Sequence, residues 1–253
     1  MVSARVLYNE MKKWVSDEEA KPLIQAVYFD GENVRATDSA AAVTVKNYKS
    51  ESHLKPHFEN TDGQVVDLEG DFPDFGRLTP ELKDCPWRYE IKDAQNYIRA
   101  RMKIWKKAFT YLRDLAKVLK IPNQPVMLQK KGSRLYVYGS GKETSAKILL
   151  LENNNLTGDD WEMFVNSVRL LNVIDFIIAT EANEFRMYSG IENGKVKILA
   201  IETEDLIMRI ACLTIKSNQN ERDDRLLKFI REENPEPDVE TSVDSVDKSE
   251  MED

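Results

Sequence analysis

The chain has little of what staples or punctuates a small fold: 253 residues hold 10 Gly, 9 Pro, 2 Cys and 2 His. So few glycines exclude a collagen-like repeat, and so few cysteines exclude a disulfide-rich scaffold. No window approaches the roughly 18 apolar residues of a membrane span. The segment Met1–Glu10 also lacks an apolar export region, so the expected location is cytosolic, with no membrane partner. The histidines are His53 and His57, with Pro56 between them. That proline breaks the helix which would align i and i+4 ligands, and no Cys or acid cluster completes a metal set. A histidine-based catalytic triad is equally short of material. Cys85 and Cys212 are far apart, and Cys212 lies inside the apolar run Ile210–Ile215, so a reduced, buried thiol is expected.

Net charge is −8, from 44 acids and 36 bases, but it is unevenly spread. Ten acids and one base fall between Glu232 and Asp253, a segment of −9 that leaves the other 231 residues at +1. From about Asn234 the sequence has no aromatics and no helical period, so it is expected to form a disordered acidic tail.

Three blocks share one order, a helix followed by short strands. The first opens with Ser3 as N-cap and a helix through Leu7, Met11 and Trp14. Strands 23–29, 33–37 and 41–45 follow, with the hairpin signal Asp30-Gly31 between the first two. The second block predicts a helix from about Tyr97 to Leu119, then strands 125–129, 134–138 and 145–151. The third predicts a helix from about Asp159 to Leu171, then strands 173–178, 184–188, 195–201 and 206–213. On this reading Trp14, Trp105 and Trp161 each lie on the apolar side of a helix. Gly132 and Gly194 stand 62 positions apart, as do Ile148 and Ile210, which suggests an internal repeat. The expected fold class is α+β, with helices packed on one face of curved antiparallel sheets in repeated helix-plus-strands modules. The expected division is an abbreviated unit at 1–90, a second unit at 91–217, and a short helix with the tail at 218–253.

The strongest chemical feature is the segment Tyr97–Lys120. Ile98, Met102, Trp105, Phe109, Leu112, Ala116 and Leu119 form one apolar stripe at helical spacing. Arg99, Lys103, Lys106, Thr110, Arg113, Lys117 and Lys120 repeat that spacing one residue later, about 100° round the axis. Asp114 is the segment's one acid. Six bases in a row on a near-neutral body suit a polyanion, held through phosphates without sequence readout. A solvated face, or one that meets the acidic tail, is the competing reading.

A second constellation is Pro73-Asp74 followed by Glu90-Ile-Lys92. It satisfies the loose pattern of Mg²⁺-dependent nucleases, in which two carboxylates hold the ion and the lysine stabilises developing charge. That chemistry requires Asp74 and Glu90 on adjacent strands. Otherwise the pair is accidental, and Asp74 and Asp38 are ordinary turn formers.

Two stretches resemble the sliding clamps, the DNA polymerase processivity factors in their bacterial β-subunit form. Residues 19–38, ending Arg35-Ala-Thr-Asp38, look like the clamp segment of helix end, strand, hairpin and second strand. Gly70-Asp-Phe-Pro-Asp-Phe-Gly-Arg-Leu-Thr-Pro80 looks like the Gly-x-Phe/Tyr-Pro-Asp stretch that closes one clamp domain. The element order over 97–215 is similar to a whole domain, and Met208-Arg209-Ile210 is weakly similar to the family's last strand. The resemblance implies a ring of antiparallel sheets whose helices line a hole, with basic residues such as Arg99, Lys103, Lys106, Arg113, Lys117 and Lys120 facing double-stranded DNA. It implies no catalysis and no cofactor. It also implies a polymerase or other replication protein docking by a short peptide in an apolar groove near a domain junction. Residues 46–69 have no room for a second helix and its strands, so the first unit is shortened. A homo-oligomeric ring and a monomeric, clamp-derived protein-binding module both remain open.

Overall fold

A computed structural model describes residues 2–48, 55–74, 85, 87–117, 124–141, 144–189, 191–192, 195–196, 198–213, 228–229 and 232. The acidic tail, His53, residues 75–80, Gly194 and Lys120 lie outside them.

Helix α1 is Ala4–Met11, with the Ser3 hydroxyl accepting from Val6 N–H at 3.4 Å. Pro22 starts a single 3₁₀ turn, Pro22–Ile24, so the strand expected over 23–29 shortens to β1, Val27–Phe29. Asp30 Oδ1 accepts from Glu32 and Asn33 N–H, at 2.9 and 2.6 Å. This turn joins β1 to β2, Val34–Thr37. β3 is Ala41–Val45, and β4 (His57–Glu59) and β5 (Val65–Val66) are short. β6, Trp87–Ile91, leads into α2, Gln95–Lys117. Strands β7 (Pro125–Lys131), β8 (Arg134–Ser140), β9 (Ser145–Glu152) and β10 (Leu156–Gly158) follow.

The sequence expectation fails next. Residues 161–166 form strand β11, Trp161–Asn166, and α3 is Ser167–Ala179. Trp161, Met163 and Val165 are buried at alternate positions, the period of a strand. The Asn166 side chain caps α3, accepting from Val168 and Arg169 N–H. Residues 173–178, expected to be a strand, lie inside this helix, so Trp161 is on a strand and Val173–Ile178 on a helix. Strands β12 (Phe185–Ser189), β13 (Ile191–Glu192), β14 (Lys195–Val196), β15 (Ile198–Glu202) and β16 (Leu206–Ala211) complete the set.

Three helix-and-meander units emerge, with α1 preceding β1-β2-β3, α2 preceding β7-β8-β9, and α3 preceding β12-β15-β16. The units built on α2 and α3 exchange their leading strands, since β6 pairs with β12 and β11 pairs with β7, both antiparallel. The first unit instead takes β4 on β1. The third strands of the first and last units, β3 and β16, also pair antiparallel, joining them in one ten-stranded sheet ordered β10-β6-β12-β15-β16-β3-β2-β1-β4-β5. A four-stranded sheet, β11-β7-β8-β9, completes the wall. The helices pack on one face of the sheets over a core that includes Leu7, Trp105, Phe109, Phe176, Phe185 and Met208. The α+β expectation thus matches the observed architecture.

Candidate nucleic-acid interface

Helix α2 forms because its helix formers carry one apolar face. Ile98, Met102, Trp105, Phe109, Leu112 and Ala116 are all buried, as the stripe requires. Gly139 of β8 lets the helix sit close to the four-stranded sheet, since a Cβ there would lie 2.7 Å from Leu112 Cδ2.

The basic row lies on the flank of α2 that turns towards α3. Lys106 Nζ is 2.7 Å from Asp175 Oδ1 of α3, and Arg99 Nη1 is 3.7 Å from Glu181 Oε1 just beyond it. Arg113 Nη2 is 3.0 Å, and Lys117 Nζ 3.9 Å, from Asp114 Oδ1. Lys103 is exposed and has no ion pair among the described residues. Five of the six sequence-assigned bases thus share one surface, and Lys120 lies outside the described residues. The sequence missed two other contributors. Lys107 is exposed next to the row, and Lys13, just after α1, reaches Asp175 Oδ2 at 3.5 Å. It also missed the acids Asp175 of α3 and Glu181 just after it, which reduce the local excess. Partly exposed pairs of this kind contribute about 0–1 kcal/mol each, so an incoming phosphate can replace a carboxylate at small cost.

The nuclease constellation is not assembled. Glu90 on β6 is held by Arg186 Nε at 2.6 Å and by Lys92 at 3.4 Å. Its carboxyl is kept below the ordinary range chiefly by the Arg186 hydrogen bond. Asp74 instead lines a cavity of about 330 Å³ between β2, β3 and β16, together with Arg35, Lys46 and Arg209. From β16 to β6 is three strand spacings, roughly 14 Å. Among the described residues no three His, Cys, Asp or Glu side chains cluster as metal ligands. His57 is instead structural, stacked on Phe29 at 4.8 Å, with Nε2 3.0 Å from Glu59 Oε1.

That cavity marks the joint between the first and last units. Burial holds the Arg209 guanidinium below its usual range, with Arg35 adding to the effect. Asp38, read as a turn former, accepts from Ala40 and Ala41 N–H and also from Arg169 Nε of α3 at 2.8 Å. Phe72, from the Gly70–Asp74 stretch, stacks on Tyr28 at 5.2 Å. Cys85 and Cys212 are not joined in a disulfide, and burial pushes the Cys212 thiol up to about 12. No helix among the described residues is long and apolar enough to cross a membrane.

No protein-family model and no curated protein sequence matches the chain. Solved structures do. The DNA polymerase sliding clamp from Bacillus subtilis is 16% identical at TM-score 0.65, covering 84% of this chain and 62% of that one. The β subunit of the DNA polymerase of Streptococcus pyogenes is 12% identical at TM-score 0.64, covering 83% and 63%. DNA polymerase III subunit β from Borrelia burgdorferi is 12% identical at TM-score 0.63, covering 84% and 62%. The chain therefore has the fold of the bacterial β sliding clamps, in a divergent form that spans a little over three-fifths of their length.

Proposed function

We propose that this is a non-enzymatic, clamp-like protein of DNA replication that tethers a polymerase or another partner to duplex DNA. The observation that carries the reading is the basic row of α2, set on the helical layer of a clamp fold and matched only by exchangeable surface acids. Arg99, Lys103, Lys106, Arg113, Lys117 and Lys120 would hold phosphates without reading sequence. The three described helices of one chain provide only part of a lining, so a homo-oligomer belongs to this reading. The polar cavity at the β3–β16 joint, with Arg35, Lys46 and Arg209, offers a partner peptide a different surface from the apolar groove that the family resemblance implies. Its three bases suit a segment bearing carboxylates.

The test is fluorescence anisotropy with duplexes of two unrelated sequences over a salt series. Affinity is expected to fall steeply with salt and to be the same for both sequences. Lys103→Glu with Lys106→Glu is expected to weaken both about equally and to lower the salt slope by about 2. Unchanged affinity in that double variant would remove the DNA-facing assignment.

A further inference from the structure

The face of the four-stranded sheet turned away from the helices carries one straight row of side chains. Phe164 of β11 pairs with Met127 of β7, Met127 with Tyr138 of β8, and Tyr138 with Lys147 of β9. Directly opposed residues share a face, so the row crosses all four strands. Gln129 and Tyr136 form the next row on the same face. Leu128, Leu135 and Val137 alternate with these positions and belong to the core beneath the helices.

The outer face of an antiparallel sheet commonly meets water, yet Met127 and Tyr138 are both 0% exposed. They form a small apolar cluster of their own, against which Tyr136, Phe164 and Phe229 pack. The Phe229 ring stands edge-on to Tyr138, with centroids 6.2 Å apart at 67°. Lys147 Nζ lies over the Tyr136 and Tyr138 rings, 4.9 and 5.4 Å from their centroids, and the Tyr138 hydroxyl donates to Gln129 Oε1 at 2.9 Å. The floor of this face is therefore aromatic, with an ammonium at its β9 end.

Phe229 comes from outside the three helix-and-meander units. Leu213, just after β16, donates its N–H to the Phe164 carbonyl at 2.7 Å, at the β11 end of the row, and Lys228 and Phe229 further on are helical. Lys228 Nζ is 3.7 Å from Glu232 Oε1 of the same segment, and both side chains are exposed. That pair faces solvent while Phe229 faces the sheet. The sequence beyond Phe229 is acidic, with Glu232, Glu233 and Glu236, opposite in sign to Lys147. We propose that this face is a docking site for a short segment bearing an aromatic residue followed by acids. Residues 228–232 are its resident occupant, and a partner segment of the same chemistry takes the site by displacing them. The edge-on seat against Tyr138 requires an aromatic ring, and Lys147 favours a carboxylate after it. A segment that joins neither large sheet can leave while the units stay folded. The site is separate from the cavity at the β3–β16 joint, and its test contains no DNA, so it stands or falls apart from the DNA-tethering reading.

The probe is a fluorescein-labelled peptide of residues 224–236, Asp-Arg-Leu-Leu-Lys-Phe-Ile-Arg-Glu-Glu-Asn-Pro-Glu, titrated into the full chain. A tethered occupant competes at high effective concentration, so full-chain Phe229→Ala is expected to bind the peptide at least about tenfold more tightly than the parent does. Replacing the peptide's own Phe by Ala is expected to abolish binding. Adding Lys147→Glu to the Phe229→Ala chain is expected to weaken it, most strongly at low salt. Hydrogen exchange in the parent needs no variant: millimolar peptide should speed exchange of the Lys228 and Phe229 amides and leave β7 and β8 unchanged. Equal affinity for the parent and Phe229→Ala, or no binding by a Phe229→Ala chain that keeps the parent's circular dichroism spectrum, would overturn the proposal. So would binding that survives loss of the peptide's Phe, binding indifferent to Lys147→Glu, or Lys228 and Phe229 exchange that the peptide does not alter.

Discussion

Asp175 of α3 places its Oδ1 2.7 Å from Lys106 Nζ, and its second oxygen lies 3.5 Å from Nζ of Lys13, just after α1. One carboxylate thus ties α3 to α2 and to the turn that follows α1, and sets a negative charge beneath the basic row. Asp175→Asn keeps the shape and removes the charge. Duplex affinity is expected to rise about two- to tenfold at low salt, with the gain shrinking as salt increases. Because the pairs are partly exposed, the cost in stability should stay within about 1 kcal/mol. Anisotropy titrations alongside urea unfolding read both quantities, and a lower affinity would count against a DNA-facing row.

Gly139 sits where α2 lies closest to the four-stranded sheet, and an added Cβ would meet Leu112 Cδ2 at 2.7 Å, Cβ at 3.2 Å and Cγ at 3.3 Å. Leu112 is itself 1% exposed and has little room to retreat. Gly139→Ala is therefore expected to destabilise by about 1–3 kcal/mol through overpacking. Chemical denaturation should show this as a lower midpoint with the slope retained.

The sequence made α2 legible because its burial pattern is local. Seven apolar positions step at helical spacing, and all six of them that lie among the described residues, Leu119 being outside, are buried. The 62-residue spacing of Ile148 and Ile210 was legible for the same reason, as each lies in the third strand of a meander. The stretch 159–179 was not. Its run Val-Ile-Asp-Phe-Ile-Ile reads as a buried strand, yet a helix covered on most sides has the same composition. The deciding signals were Asn166 as an N-cap and the alternation of Trp161, Met163 and Val165 before it. Misplacing α3 also hid Asp175 and Glu181, because an ion pair between two elements leaves no trace in the spacing of either one. The family resemblance rested on turn and loop residues such as Asp38 and Phe72, whose contacts are now visible as a helix tie and an aromatic stack.

The separation of Asp74 from Glu90 makes a direct prediction about hydrolysis. Supercoiled plasmid incubated with the protein and millimolar Mg²⁺ is expected to stay intact, and Mg²⁺ is expected not to shift the unfolding midpoint, since no metal-ligand cluster is found among the described residues. Cleavage that disappears in both Asp74→Ala and Glu90→Ala would show the two acting together and would require a rearrangement of the sheet.

Arg186 stands between carboxylates on neighbouring strands, its Nε 2.6 Å from Glu90 Oε1 and its Nη1 4.0 Å from Glu202 Oε2. The hydrogen bond from Arg186 holds the Glu90 carboxyl below its ordinary value. A depressed folded value means that the ionised carboxylate stabilises the fold above the unfolded pKa of about 4.3, and that this contribution is lost as pH falls through the folded value. Arg186→Met removes the cation and leaves the carboxylates facing one another. The charged hydrogen bond would be expected to contribute about 1.5–3 kcal/mol when buried, and roughly half that for side chains about one-third exposed. Urea unfolding of parent and variant should therefore differ by about 1 kcal/mol at neutral pH, with the parent more stable. The two should converge as the solution is acidified below the folded Glu90 value, because a protonated Glu90 no longer distinguishes them. A gap that stays constant down to that pH would mean Arg186 acts through packing of its methylene stem rather than through its charge.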